Sequence, residues 1–403
     1  MRKNAVNRKL REISGGVCAP AGFFANGVHC GISRDEGKKD LALVSADWRC
    51  PTACVFSEQS AQSAPARVSK KHLKRGIARA ILINSGVANV FLDNGEWLAE
   101  KVCRVLARNS SIEVNETLLA STGKVGEPLY LAPFEKGIPP LVEGLSASEE
   151  GSYAAAQAIM TTDKEPRHIA FEFDLGDFPC KIGAIYKGTT QVCPNMATTL
   201  AILTTDVNIL PEMLQKALTS AVKDTFNLIC IDGISSPNDL VCIMANGKAG
   251  NYKIFCDDTE YEKFVYALRK TLAEICRRIV KDGDRENRIL SCKVSGAKSK
   301  QVARALAKKL ACAQKLKTSL LSGKCEAIDI LYEANSVTED MNIQKAQVTL
   351  GAGENTYALF DSGRTLTLSK ETVNSLFSEK EIVLSVELGA GNFGATSYSC
   401  ITL

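Results

Sequence analysis

The chain is short of aromatic residues, of histidine and of net charge. Two Trp, nine Tyr and fourteen Phe make up 6% of the 403 residues, which leaves few platforms on which bases could stack. Lys and Arg number 49 against 45 Asp and Glu, a formal charge of +4. The basic excess of a nucleic-acid binder is therefore absent. No stretch is apolar for the roughly 18 residues that a membrane-spanning helix requires. The start, MRKNAVNRKL, is basic with no apolar run behind it, and reads as a frayed tail rather than a secretory signal. Glycine (29) and proline (12) are too few for a collagen-like or low-complexity chain. The three histidines, His29, His72 and His168, are far apart, and Cys50 and Cys54 have no partner pair at zinc-binding spacing. No metal is expected, and chemistry built on a His–Asp dyad is poorly supplied. Neither a Walker loop nor a dinucleotide fingerprint occurs, so neither ATP nor NAD is indicated.

Cysteine, by contrast, is plentiful at fifteen. Cys103, Cys180, Cys230, Cys242, Cys256 and Cys276 lie within apolar runs, which predicts buried thiols in a reducing, cytoplasmic compartment.

Length suits two domains or three. Strands are expected at Leu41–Val44, Ala53–Ser57, Ala80–Ile83 and from Thr117, each marked by a short apolar run. Helical rhythm marks 97–110 and 148–160. HIAFEFDL and CKIGAIYKG alternate on either side of Gly176-Asp177, a hairpin signal. LAILTTD then reads as a buried strand, 210–226 as an amphipathic helix and NLICIDG and LVCIMANG as strands. The longest helix is expected at 258–281, where Tyr261, Phe264, Val265, Leu268, Leu272, Ile275 and Ile279 keep a period near 3.6. A strand at RILSCKVSGA and a helix at SKQVARALAKKLACAQ come next, and 324–403 reads as mostly strand. The basic tract KKHLKRG reads as a linker. Helices and strands mix without strict alternation. This predicts an α/β (α+β) layered sandwich of mostly antiparallel sheets flanked by helices, not a doubly wound sheet.

Three loops rich in small residues interrupt the strands: INSGVAN (83–89), ASTGKVG (120–126) and YKGTTQVCPNMATTL (186–200). Such loops can aim backbone N–H groups at an anion, or can simply be tight turns. In the third, Thr198 and Thr199 come after Pro194-Asn195-Met196-Ala197. A Thr whose own amino group is freed becomes a nucleophile, because that amine serves as its base.

These blocks carry a resemblance. GGVCAPAGFFANGVHCGI, KKDLALVSAD, SAQSAPARVS, ILINSGVANV, STGKVG, AIMTTD, IGAIYKG, PNMATT, ILTTD, FNLICIDG, NDLVCIMANG, IVKDGD and VSGAKS, in that order over most of 15–298, resemble the bifunctional ornithine acetyltransferase / N-acetylglutamate synthase family of arginine biosynthesis. The resemblance implies a precursor that cleaves itself between Ala197 and Thr198. Residues 1–197 would form one chain and 198–403 the other, with a smaller C-terminal domain from about 285. Thr198 would accept acetyl from N-acetylornithine and pass it to glutamate. Thr122 and Gly123 would form the oxyanion hole, and Thr161, Lys187, Thr198 and Asp284 would contact substrate. The resemblance implies no cofactor, no nucleic-acid or membrane partner, and assembly of the cleaved chains into a heterotetramer or larger.

The chain also departs from that pattern. Gly188-Thr189-Thr190-Gln191 stands where Gly-Ser-Gly-Met is usual, Val87 where Asn is common, and Asp284-Arg285 in place of a glutamate-containing DGEG block. The shorter acid retracts the carboxylate by about 1.5 Å. A DPNWGR-type block is not recognisable in AIDILYEANSV. The family's terminal Asn and Thr contacts have no counterpart before Leu403, and are expected to be missing or supplied otherwise. Two further readings stay open: a hydrolase or a transferase of another amino acid, and an uncleaved, non-catalytic homologue. Mass spectrometry of the purified chain separates the last from the others. Two fragments, the second beginning at Thr198, are expected, and Thr198→Ala is expected to remain intact. Intact wild-type chain after long incubation would contradict the nucleophile assignment.

Overall fold

The computed structural model describes residues 10–59, 61–188, 199–230 and 236–401. Ala197 and Thr198 lie outside the described residues.

The strands are β1 (Arg11–Ile13), β2 (Phe23–Val28), β3 (Leu41–Phe56), β4 (Ile77–Asn84), β5 (Thr117–Ser121), β6 (His168–Leu175), β7 (Phe178–Lys187), β8 (Leu200–Thr205), β9 (Ile229–Cys230), β10 (Leu240–Ala245), β11 (Ile289–Ala297), β12 (Gln347–Ala352), β13 (Asn355–Asp361), β14 (Arg364–Thr365), β15 (Glu381–Glu387) and β16 (Phe393–Ser399). The α-helices are α1 (Ala64–His72), α2 (Gly95–Asn109), α3 (Leu131–Glu143), α4 (Glu149–Ala158), α5 (Pro211–Lys223), α6 (Thr259–Gly283), α7 (Lys300–Cys312), α8 (Gln314–Leu321), α9 (Ala327–Asn335) and α10 (Lys370–Leu376). No described helix is long and apolar enough to cross a membrane.

Described residues fall into two compact units. The first draws on Met1–Gly188, Asn195–Val222 and Ser235–Ile275, the second chiefly on Lys223–Ile234 and Cys276–Leu403.

In the first unit the strand order is β1-β6-β7-β8-β10-β3-β4-β5, with β2 also on β3. Pairing is antiparallel except at β8–β10 and β4–β5. Strand β3 is long because it serves two layers. Leu41–Ala46 pairs with β2 and β4, Thr52–Phe56 pairs with β10, and the register shifts between Ser45 and Cys50. Alternation then sorts the side chains by face. Ala42, Val44, Ile81 and Ile83 meet Ile185, Leu200, Ile202, Leu240 and Met244 in an inner core between layers. Leu41, Leu43, Leu82 and Leu119 face outward, against Leu98, Val102 and Leu106 of α2 and Phe134 and Ile138 of α3. Strand β7 runs so close to the turn at 16–18 that a Cβ on Gly183 would sit 1.9 Å from the Gly16 carbonyl oxygen.

The second unit has one sheet, β14-β13-β12-β15-β11-β16-β9. Leu290, Cys292, Val348, Leu350 and Leu384 of that sheet bury against Leu306 and Leu310 of α7, Leu316 and Leu320 of α8 and Ile330 of α9.

The layered, mostly antiparallel sandwich with flanking helices is as expected from the sequence. Some local readings are corrected by the structure. The basic tract is not a linker: Lys70, Lys71 and His72 form the last turn of α1, where positive charge offsets the helix dipole. That helix starts at Ser63, whose side chain accepts the Ala66 N–H, a cap worth about 1 kcal/mol. The segment 324–403 also contains α9 and α10. Cys256, expected to be buried, is exposed, whereas Cys103, Cys180, Cys242 and Cys276 are buried.

Gly183→Ala is expected to destabilise by about 1–3 kcal/mol, because backbone opposes the added methyl and cannot swing away. Thermal melting would check this; an unchanged melting temperature would refute the close approach.

Candidate active site

The oxyanion-hole candidates sit where β5 ends. β4 and β5 run parallel in register to Asn84↔Ser121, so the loops after them leave the sheet side by side. They are laced together by backbone. Thr122 donates its N–H to the Asn84 carbonyl (2.9 Å), Lys124 to that of Gly86 (3.0 Å), and Ala88 to that of Lys124 (2.9 Å). Side chains stiffen the lacing: Ser121 Oγ donates to Asn84 Oδ1 (2.5 Å), and Asn84 Nδ2 to the Val87 carbonyl (2.8 Å). Gly123 adopts φ +125°, and a Cβ there would lie 2.3 Å from the Gly86 carbonyl carbon. Position 123 therefore requires glycine on both counts.

This lacing leaves two neighbouring donors unused. Thr122 is 0% exposed, yet its Oγ has no hydrogen-bond partner among the described residues. The Gly123 N–H carries none among them either. Leaving a buried polar group unpaired costs about 1–3 kcal/mol. A fold that bears this cost beside a free backbone N–H has the makings of an anion cradle.

A second group lies where three strands end together. Lys187 of β7 is opposite Leu200 of β8, which is opposite Leu240 of β10. Lys187 is only 4% exposed and faces Asp163, with Nζ 3.5 Å from Oδ2. Asp163 also accepts the N–H of Thr161 (2.9 Å) and of Gly188 (3.1 Å). Burial pushes its carboxyl up, but Lys187, these two N–H groups and Arg167 outweigh that and hold it below the usual carboxylate range. Burial draws Lys187 down, opposed by Asp163. Thr161 is half-buried, and its carbonyl accepts from Lys38 Nζ at 2.7 Å.

Asp239, just before β10, links the strand ends to the chain beyond residue 198. Its Oδ1 accepts the Thr199 N–H (2.8 Å) and its Oδ2 that of Ser236 (3.3 Å). Burial pushes its carboxyl well above the usual range, against these N–H groups and the charge of Lys187.

Asp284 belongs to the second unit and is 0% exposed. Its carboxylate accepts N–H groups from Glu286 (2.9 Å), Arg288 (3.1 Å) and Ile401 (2.9 Å). Of the residues expected from the sequence, Thr122 and Gly123 lie at the end of β5, and Thr161 and Lys187 are gathered around Asp163 at the end of β7. Sequence reasoning misses Asp163 and Asp239. A signal for Asp239 exists, as an acid standing directly before the wholly apolar strand LVCIMA.

Asp163→Asn strands a buried ammonium, and at neutral pH is expected to cost about 3–5 kcal/mol. The sign follows from the lowered carboxyl. Its contribution is present above the unfolded-state value near 3.8 and is lost as pH falls through the lower folded value. Melting curves of wild type and variant should therefore converge in acid; a constant gap would contradict the ion pair.

Residues 24–401 match the ArgJ family. The chain is 33% identical over 396 residues to the arginine biosynthesis bifunctional protein ArgJ of Caldanaerobacter subterraneus subsp. tengcongensis, covering 97% of this chain and 96% of that protein. It is 30% identical over 395 residues to the glutamate N-acetyltransferase of Methanosarcina acetivorans, with 97% and 96% covered. Among solved structures, it is similar to the ArgJ protein of Bacillus halodurans, with TM-score 0.44 and 29% identity over 47% of this chain and 98% of that one. It is also similar to the ornithine acetyltransferase of Mycobacterium tuberculosis in complex with ornithine, with TM-score 0.38 and 30% identity over 40% and 88%. With a family match across nearly its whole length and relatives this similar end to end, the chain is a member of the ArgJ family of enzymes.

Proposed function

We propose that this chain is a glutamate N-acetyltransferase that moves an acetyl group from N-acetylornithine to glutamate through an acetyl-threonine. The observation that carries the reading is the Thr122 hydroxyl next to the Gly123 N–H, both without a hydrogen-bond partner among the described residues. Both reactions required of the site, cleavage of the chain and acyl transfer, pass through a tetrahedral oxyanion that needs two such donors.

In the first reaction Thr198 Oγ attacks the Ala197 carbonyl and displaces its own nitrogen, giving an ester. Water hydrolyses the ester and leaves Thr198 with a free α-amine. That amine is the base for the second reaction. Oγ attacks the acetyl carbonyl of N-acetylornithine, its proton passes through the amine to the leaving nitrogen, and ornithine departs. The amino group of glutamate then attacks the acetyl ester, releasing N-acetylglutamate and restoring the hydroxyl. Splitting one amide exchange into two acyl transfers lowers each barrier.

Lys187 takes the role of cation for the substrate α-carboxylate, with Asp163 as its partner between turnovers, and Thr161 borders the same strand end. For Asp284 the resemblance assigns a contact to the ornithine ammonium, which we carry as part of the proposal. Its three backbone N–H partners also support an anchoring role. The mature protein is two chains, 1–197 and 198–403, assembled as a heterotetramer or larger and acting in the cytoplasm without a cofactor.

Incubation with N-acetylornithine labelled in the acetyl group, with and without glutamate, tests the reading. Label is expected on glutamate, and Thr122→Val is expected to lower kcat by about 10²–10³. Label found only as free acetate, or no turnover, would contradict it.

A further inference from the structure

The nucleophile candidate and its oxyanion donors are far apart in sequence, so something must set the distance between them. Among the described residues a bonded path runs from Thr199, the residue after the nucleophile candidate, to the loops that carry Thr122 and Gly123. Thr199 is gripped at both main-chain polar groups: its N–H donates to Asp239 Oδ1 (2.8 Å), and its carbonyl accepts the Leu240 N–H (3.1 Å). The Thr199 nitrogen belongs to the peptide bond that follows Thr198 in the chain, so the grip is on the atom next in sequence to the nucleophile candidate. The neighbouring Asn238 reaches the other way, donating Nδ2 to the Ala88 carbonyl (3.0 Å). Ala88 in turn donates to Lys124, within the lacing that carries Thr122 and Gly123.

The dipeptide itself is tied down. The Asp239 carbonyl accepts the Ser57 N–H (3.0 Å), the Pro237 carbonyl that of Ser63 (3.2 Å), and Asn238 N–H donates to Ser236 Oγ (3.2 Å). Asp239 is 0% and Asn238 6% exposed. An ordinary turn before a strand does not need a wholly buried carboxylate, whose desolvation is costly. Both of the Asp239 carboxylate oxygens are aimed at backbone N–H groups, those of Thr199 and Ser236, which a side chain without two acceptors could not serve.

We propose that Asn238-Asp239 is a positioning dipeptide: Asp239 fixes the peptide after Thr198, while Asn238 holds the loop that backs Thr122 and Gly123. The inference rests on the acyltransfer reading above and adds to it the part that sets its geometry. Neither residue touches the reacting atoms in this account. Both act through Thr199 and Ala88. A displacement of about 1 Å at a reacting centre is enough to cost roughly 10²-fold in rate, so a loosened grip should be read in rates before it is read in stability.

The test compares full-length wild type, Asp239→Asn, Asp239→Ala and Asn238→Ala. Readouts are the rate of cleavage before Thr198 by mass spectrometry, kcat and KM for both substrates in the cleaved fraction, and melting temperature. Asp239→Asn keeps the shape and one carbonyl acceptor but replaces the other acceptor with an amide donor that faces the Ser236 N–H. It is expected to fold, to cleave at least tenfold more slowly, and to lose kcat tenfold or more with KM within twofold. Asp239→Ala is expected to accumulate precursor, and Asn238→Ala to lower kcat similarly. A purely structural role would lower the melting temperature without this split between kcat and KM. Folded Asp239→Asn that cleaves and turns over within twofold of an active wild type overturns this inference alone. Wild type that neither cleaves nor transfers acetyl overturns the acyltransfer reading and this inference with it.

Discussion

A buried hydroxyl bonded to nothing is a standing cost, and among the described residues of the first unit Thr122 and Ser85, both in the laced loops after β4 and β5, bear it. The cost arises from a specific constraint. Parallel pairing of β4 and β5 brings two loops out of the sheet side by side, and backbone bonds between 84–88 and 122–124 consume the nearby N–H groups. The lacing spares the Thr122 hydroxyl and the Gly123 N–H. Preorganisation of this kind is what makes a donor useful to a developing anion. The donor is already in place, already stripped of water, and reorganises nothing when charge appears.

The rest of the unit can be understood as support for that arrangement. The bent strand β3 lets one element hydrogen-bond in both layers, so the end of β10 at Asp239 and the loop after β4 come within reach of one side chain, Asn238. The inner core of Ala42, Val44, Ile81 and Ile83 against Ile202, Leu240 and Met244 sets the spacing of the layers by packing alone. Buried charge appears where the strand ends converge. Lys187 and Asp163 face each other, and Asp239 stands at the start of the next strand but one. Loss of solvent shifts Lys187 down and Asp239 up, while Asp163 is held down by its neighbours against its burial, and perturbed groups of this kind concentrate at functional clefts.

Much of this is legible in the sequence. Alternation exposes the hairpin β6–β7, short apolar runs expose the strands β4, β5, β8 and β10, and the 3.6 period exposes α5 and α6. The family's blocks bring out Thr122, Gly123, Thr161, Lys187 and Thr198, none of which composition or periodicity would single out. Local signals mislead where polar side chains have structural work unrelated to solvent. Lys70, Lys71 and His72 read as a linker because charge masks a short helix whose buried face is made of Ala64, Pro65, Ala66 and Val68. β3 reads as two strands because Asp47, Trp48 and Arg49 mark a register shift and not a turn. Asp163 leaves no periodic trace, and Asp239 shows only as an acid before an apolar strand, because accepting backbone N–H groups imposes no pattern on the sequence around the carboxylate. Only the folded chain shows which amides it meets.

The central claim is that one hydroxyl, on Thr198, carries the acetyl group while Thr122 and Gly123 bear the oxyanion. Its most direct measurement is to supply N-acetylornithine without glutamate, quench within one turnover and map the acetyl by peptide mass. The account predicts acetyl on Thr198 of the wild type, with its accumulation slowed in Thr122→Val. Acetyl on any other side chain, or none on a folded and cleaved enzyme that still turns over, would contradict it.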